Sequence, residues 1–211
     1  MPPDVDTLMW LKGQVALAPR ANWRPRETLS KWRDMEIRGW QAYPDEYAFL
    51  LHTDAGGVVP SLTVESLRIA YDRYLESAVT ILEGDGEYEA KYAQVRQLMD
   101  RVVERAKTDS DTAIMIRAMQ WWEAYYQQHV LYESFNKAVE AAIEVYLVRA
   151  KTGQMPQHLP EGLPKDPFSG EAFEYLLMDT GFTLRCRVAP IDHEVKGERL
   201  KIRQYEFKLA E

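Results

Sequence analysis

The sequence predicts an α+β chain, mostly helical, in which a long helix packs on a small C-terminal three-stranded antiparallel sheet. Three observations carry that reading. Apolar residues recur at helical spacing of four and three between residues 63 and 153. They alternate with period two in short runs after Phe173. Between the two patterns lies "LPKDPFSG", Leu163 to Gly170, whose prolines and glycine interrupt any regular element.

Taken in order, residues 1–60 form an aromatic-rich N-terminal segment, with short helices expected at Val5–Val15 and Arg26–Ala42. Asp54 to Pro60, "DAGGVVP", reads as a loop. Residues 61–108 predict a helical hairpin. Its first helix is capped by Ser61 or Thr63 and carries the stripe Leu67, Tyr71, Tyr74, Ala78 and Ile81. "EGDGE", Glu83 to Glu87, ends it, with Gly84 and Gly86 in the turn. The second helix bears Tyr88, Tyr92, Val95, Met99, Val102 and Ala106.

Residues 109–211 predict a third helix and the sheet. The helix starts at Asp109 or Ser110 and runs to Gly153. Unbroken, it would be about 60 Å long at the usual rise per residue, so a bend or break is expected near Gln127–Glu133. Phe173, Tyr175 and Leu177 make the first strand, Asp179-Thr180-Gly181 a tight turn, and Phe182, Leu184, Cys186 and Val188 the second strand. Leu200, Ile202, Tyr205 and Phe207 make the third, with a bulge expected where the phase slips after Ile202. Such a sheet has one apolar face and needs a helix over it.

Composition narrows the function. The chain has 211 residues, 46% of them hydrophobic, enough for a real core. A net charge of -7 argues against nucleic acid as a partner, because phosphate binding needs surplus Lys and Arg. The basic run from Arg20 to Arg33, with Trp23 and Trp32, reads as a solvated surface over packed tryptophans. The single cysteine, Cys186, leaves no internal disulfide and no multi-cysteine metal site. No run reaches the roughly 18 apolar residues of a membrane helix. The start lacks the basic segment of a signal peptide. Membrane attachment is therefore expected only through a segment absent from this chain, and a cytoplasmic origin also fits.

"LPKDPFSG" has a direct physical reading. Pro160, Pro164 and Pro167 fix φ and forbid a helix or a central strand. Asp166, before Pro167, is pushed to an extended conformation, and its carboxylate can accept backbone N–H groups of the turn that follows. Gly170 allows positive φ, and Phe168 and Phe173 can tuck beneath. The stretch is a staple between helix and sheet.

The surrounding residues, Ala141 to Val188, also carry a resemblance. Tyr146, Gly153, Pro156, Leu163, Pro164, Asp166, Pro167, Gly170, Phe173 and Tyr175 stand in the order of the helix end, proline loop and first strand of the major pseudopilin. This quarter of the chain resembles type II secretion pseudopilins and type IV pilins. It is similar too to the tails of uncharacterised bacterial extracytoplasmic proteins. The resemblance implies a long helix on an antiparallel sheet, a protein-binding or homo-oligomeric role, and a bacterial envelope or periplasmic location. The prepilin leader and apolar N-terminal helix are not matched. Nor does "APIDHEVKGER" match the family's calcium loop, so neither filament assembly nor a calcium site carries over.

Chemical motifs are sparse. Asp179-Thr180-Gly181 is the aspartic-protease triplet, but that chemistry needs two aspartates sharing a proton, and a hairpin turn explains one copy. His52, His129, His158 and His193 are too far apart in sequence to form a helical metal pair. Asp192-His193-Glu194 lies on an extended loop whose side chains diverge. "EGDGEYE" lacks the ligand pattern of a calcium hand. No metal or cofactor is expected. Trp121, Trp122, Tyr125 and Tyr126, with His129 beyond, point around most of a helix. They are expected to pack on Trp10, Trp23, Trp32 or Trp40, and they are the candidate ligand or partner surface.

The expected function is a non-enzymatic structural or protein-interaction module of an envelope-associated protein, whose fold-determining loop residues are Asp166, Pro167, Gly170, Phe173 and Tyr175. The alternative is a soluble binder of a small apolar or aromatic ligand in a Trp/Tyr-lined groove. An enzyme comes third.

Overall fold

The computed structural model describes residues 4–17, 24–43, 63–109, 112, 116, 119, 122–188 and 202–208. Among them run the helices α1 (Val5–Leu17), α2 (Pro25–Ala42), α3 (Val64–Glu83), α4 (Tyr88–Ala106) and α5 (Trp122–Thr152), then the strands β1 (Glu174–Met178), β2 (Gly181–Arg185) and β3 (Gln204–Lys208). The chain is α+β, as its periodicities predict. Ser61, Ser110, Leu200 and the loop from Asp54 to Pro60 lie outside the described residues.

Two compact units divide the chain. One holds Met1–Asn22, Glu87–Glu89 and Gln127–Glu211, the other Trp23–Gly86 and Ala90–Tyr126.

The second unit is helical. Pro25 opens α2 at its first position, where a missing N–H costs nothing. Thr63 caps α3 by accepting the Ser66 N–H at 3.0 Å, while the Ser66 hydroxyl accepts the Thr63 N–H at 3.2 Å. Most of the predicted stripe is buried on α3, Leu67, Tyr71, Tyr74 and Ala78, joined by Ala70, Leu75, Val79 and Leu82, while Ile81 is half-buried. Arg26 grips Glu76 with two hydrogen bonds and Arg33 reaches Asp72, so α2 and α3 run antiparallel. Near the α3–α4 turn, Lys91 donates to the Leu82 carbonyl. Arg73, midway along α3, lies 3.9 Å from Asp109, just past α4. α4 buries the seam Tyr92, Val95, Leu98, Met99 and Val102.

The first unit places the sheet on α5. β1, β2 and β3 are adjacent in that order and antiparallel throughout. Asp179 and Thr180 join Met178 to its partner Gly181. By register, Tyr175, Phe182, Leu184, Tyr205 and Phe207 share one face. Phe182 is fully buried there, 5.2 Å from the Phe207 ring, 5.4 Å from Tyr175 and 5.3 Å from Tyr146 of α5. Ala138 and Ala142, between Ser134 and Tyr146 on the same stripe, let the sheet approach closely. Leu8 of α1 packs on Ile143 and Leu147, and Lys12 of α1 pairs with Glu144.

Two local expectations are corrected. α5 has no break at Gln127–Glu133; it is one helix of 31 residues, about 46 Å at the usual rise. That stretch holds no proline or glycine, and Lys137 and His129 flank Glu133 at helical spacing, 2.8 and 3.8 Å away. The pairing of β2 with β3 has no extra residue from Gly181↔Lys208 to Arg185↔Gln204. The phase slip therefore falls ahead of the strand, because β3 begins only at Gln204.

Candidate functional site

Asp166 is wholly buried in the loop between α5 and β1, and its carboxylate accepts three hydrogen bonds. Its main chain closes the loop: its N–H donates to the Glu171 carbonyl, and its carbonyl accepts the Gly170 N–H, both at 2.8 Å. Oδ1 accepts the Phe168 N–H at 3.1 Å. Oδ2 accepts the Ser169 hydroxyl at 2.8 Å and the Arg187 N–H at 3.1 Å. Arg187 lies just past β2, and its Nε donates to the Ala172 carbonyl at 2.8 Å. One carboxylate thus ties the loop to the end of the second strand.

Its neighbours serve the same join. Pro167 is half-buried, and Gly170 takes φ 71°, the left-handed turn that glycine tolerates. Phe168 and Phe173 are buried, Phe168 edge to face with Tyr88 at 4.9 Å. The Tyr175 hydroxyl donates to the Pro156 carbonyl at 3.0 Å, pinning the start of β1 to the stretch that leaves α5.

Beside this loop lies a buried polar chain. The Tyr205 hydroxyl donates to Ser134 Oγ at 3.1 Å, and Ser134 Oγ lies 3.2 Å from Cys186 Sγ. Burial pushes the Cys186 thiol up to about 12, the Ser134 contact opposing and Asp166 adding to it. A nucleophilic cysteine needs the opposite, a lowered pKa in a partly exposed electropositive setting. This thiol is buried and held protonated.

The aromatic candidates separate. Trp121 and Trp23 lie outside the described residues. Trp122 and Tyr126 are core residues. Tyr125 is exposed, and Trp32 packs on it edge to face. His129 belongs to the other unit, half-buried on α5. Its pKa is lowered, by burial first and by Lys137, against the pull of Glu133. Trp10 is exposed and Trp40 half-buried.

Asp179 stands exposed at the hairpin turn. Gly181 behind it is required: a Cβ there would lie 2.0 Å from the Phe207 carbonyl oxygen. His52, Asp192, His193 and Glu194 lie outside the described residues. Among the described residues no group of three potential ligands gathers to hold a metal, and no helix is long and apolar enough to cross a membrane.

Sequence reasoning missed the exposure of Leu176, Leu177 and Met178 along β1. The signal was present, since three large apolar residues in succession break the in-out alternation of a half-buried strand.

No protein-family model, curated protein or solved structure matches this chain.

Proposed function

We propose that this chain is a non-enzymatic structural or protein-interaction module, and that it works in a bacterial envelope, as its pseudopilin-like tail implies. One observation carries the reading. The buried Asp166 carboxylate is spent on the chain's own Phe168, Ser169 and Arg187, so this buried charge serves as a joint. The neighbouring thiol is held protonated and out of reach of substrates. Apolar side chains stand exposed on β1 instead, the surface character of a protein that meets other proteins. The ligand-groove alternative is weaker, because Trp122 and Tyr126 are committed to the core.

Fractionation of the native host tests this, combined with crosslinking in intact cells. Recovery with the envelope, in a crosslinked complex larger than the chain itself, is the expected result. Recovery as an uncrosslinked cytosolic monomer would overturn it.

A further inference from the structure

β1 and β3 are the two outer strands of the same sheet, and they are finished differently. β3 alternates: Gln204, Glu206 and Lys208 are exposed, with Tyr205 and Phe207 turned to the core face. Charged side chains along an edge discourage another strand from pairing there. β1 carries no such guard between Tyr175 and Met178. It has no proline, no charge and no bulge, and it pairs residue for residue with β2 along its whole length. Leu176, Leu177 and Met178 are 50%, 42% and 38% exposed. By register, Leu177 lies on the core face with Tyr175 and Phe182, whereas Leu176 and Met178 lie on the outer face beside Thr183. The exposed apolar surface therefore wraps both sides of the edge. A strand added there finds apolar neighbours above and below it, whereas a ligand on one face finds half of them.

Charge decides what kind of strand fits. Glu174 opens β1 and exposed Asp179 follows its end, with exposed Glu171 just before. Glu174 is countered by Arg185 only at 3.8 Å, on a half-exposed pair. A second copy pairing antiparallel about Leu176 would set Glu174 opposite the other copy's Met178, next in sequence to its Asp179, so each end would gather carboxylates where a Lys or Arg would be matched. We propose that the β1 edge is a strand-addition site for an extended segment of a partner protein, apolar at alternate positions and ending in Lys or Arg at both ends. The main-chain pairing supplies affinity, and the acidic ends select the partner. This rests on the interaction-module reading and names its surface.

The probe is a labelled peptide, Lys-Val-Thr-Val-Thr-Val-Lys, titrated against the full chain by fluorescence anisotropy. Hydrogen exchange is followed over residues 173–179. Binding is expected, with new protection confined to β1. Glutamate in place of both lysines should weaken it about tenfold or more, since two rim attractions become repulsions. A central proline in the peptide should abolish it. Leu176→Lys, at an exposed outer-face position, should abolish binding and leave the melting curve unchanged. No binding, equal binding of the glutamate peptide, or protection elsewhere would overturn the edge site. A concentration-dependent dimer protected at β1 without peptide would overturn it too, in favour of a second copy. The envelope fractionation fails or succeeds independently of these results, so the two readings fall separately.

Discussion

Replacing Asp166 by alanine removes the acceptor of three hydrogen bonds at one buried point. The Phe168 N–H is left inside the protein with no partner, and the Arg187 N–H is left partly covered. The Ser169 hydroxyl can turn to water. An orphaned buried donor costs about 1–3 kcal/mol. Two of them, one partly rescued by solvent, give about 2–4 kcal/mol, a large share of the 5–15 kcal/mol typical of a domain. Asp166→Asn keeps one acceptor and turns an NH2 toward donors, so about 1–3 kcal/mol is expected. Ser169→Ala should cost less than about 1 kcal/mol. Urea unfolding by circular dichroism gives the totals. Amide exchange at Phe168 and Arg187 gives the local effect, roughly 30- to 700-fold faster in Asp166→Ala, because each 1.4 kcal/mol is tenfold. A variant within about 0.5 kcal/mol of the parent, with both amides unchanged, would refute the account of Asp166 as the joint.

Gly181→Ala should cost about 2 kcal/mol or more, because the new methyl meets the Phe207 carbonyl at 2.0 Å. Gly170→Ala, whose Cβ would meet nothing within 4 Å, should cost only the backbone term of about 1–2 kcal/mol; urea midpoints rank the pair. Thr63→Ala should cost about 1 kcal/mol through loss of the α3 cap, read as a lower melting temperature. Alkali should destabilise the fold, most through the two groups raised furthest. Cys186 is raised from 9.0 to about 12, and Tyr92 from 10.0 to about 12, by burial first and then by Glu123. Folded pKa values above the unfolded ones mean stability is intact below pH 9 and lost as pH climbs toward 12. Urea midpoints across that range test the slope, and thiol labelling at pH 9 should proceed only as fast as the chain unfolds.

Most of the architecture was legible in one dimension. The seam through Leu67, Tyr71, Tyr74 and Ala78 is a helix face because only a 3.6-residue period aligns it. Tyr175 and Phe182 fall on one face of a sheet because only a period of two aligns them. Pro167 and Gly170 announced a break that no tertiary contact could override. The continuity of α5 was not legible. Expected length argued for a break, and the pairs of Lys137 and His129 with Glu133 are features that only an intact helix creates.

The sequence by itself determined the element types, their order, and that the loop before β1 must be rigid, because backbone sterics and apolar spacing act between near neighbours. Tertiary structure alone decided that Asp166 reaches Arg187, that Tyr205 and Cys186 meet at Ser134, and that β1 is an outer strand of the described sheet. Those facts join residues 21 to 71 positions apart or depend on which strand lies outermost. Local periodicity holds no record of either, because partners across a sheet are set by how the whole chain buries its apolar faces.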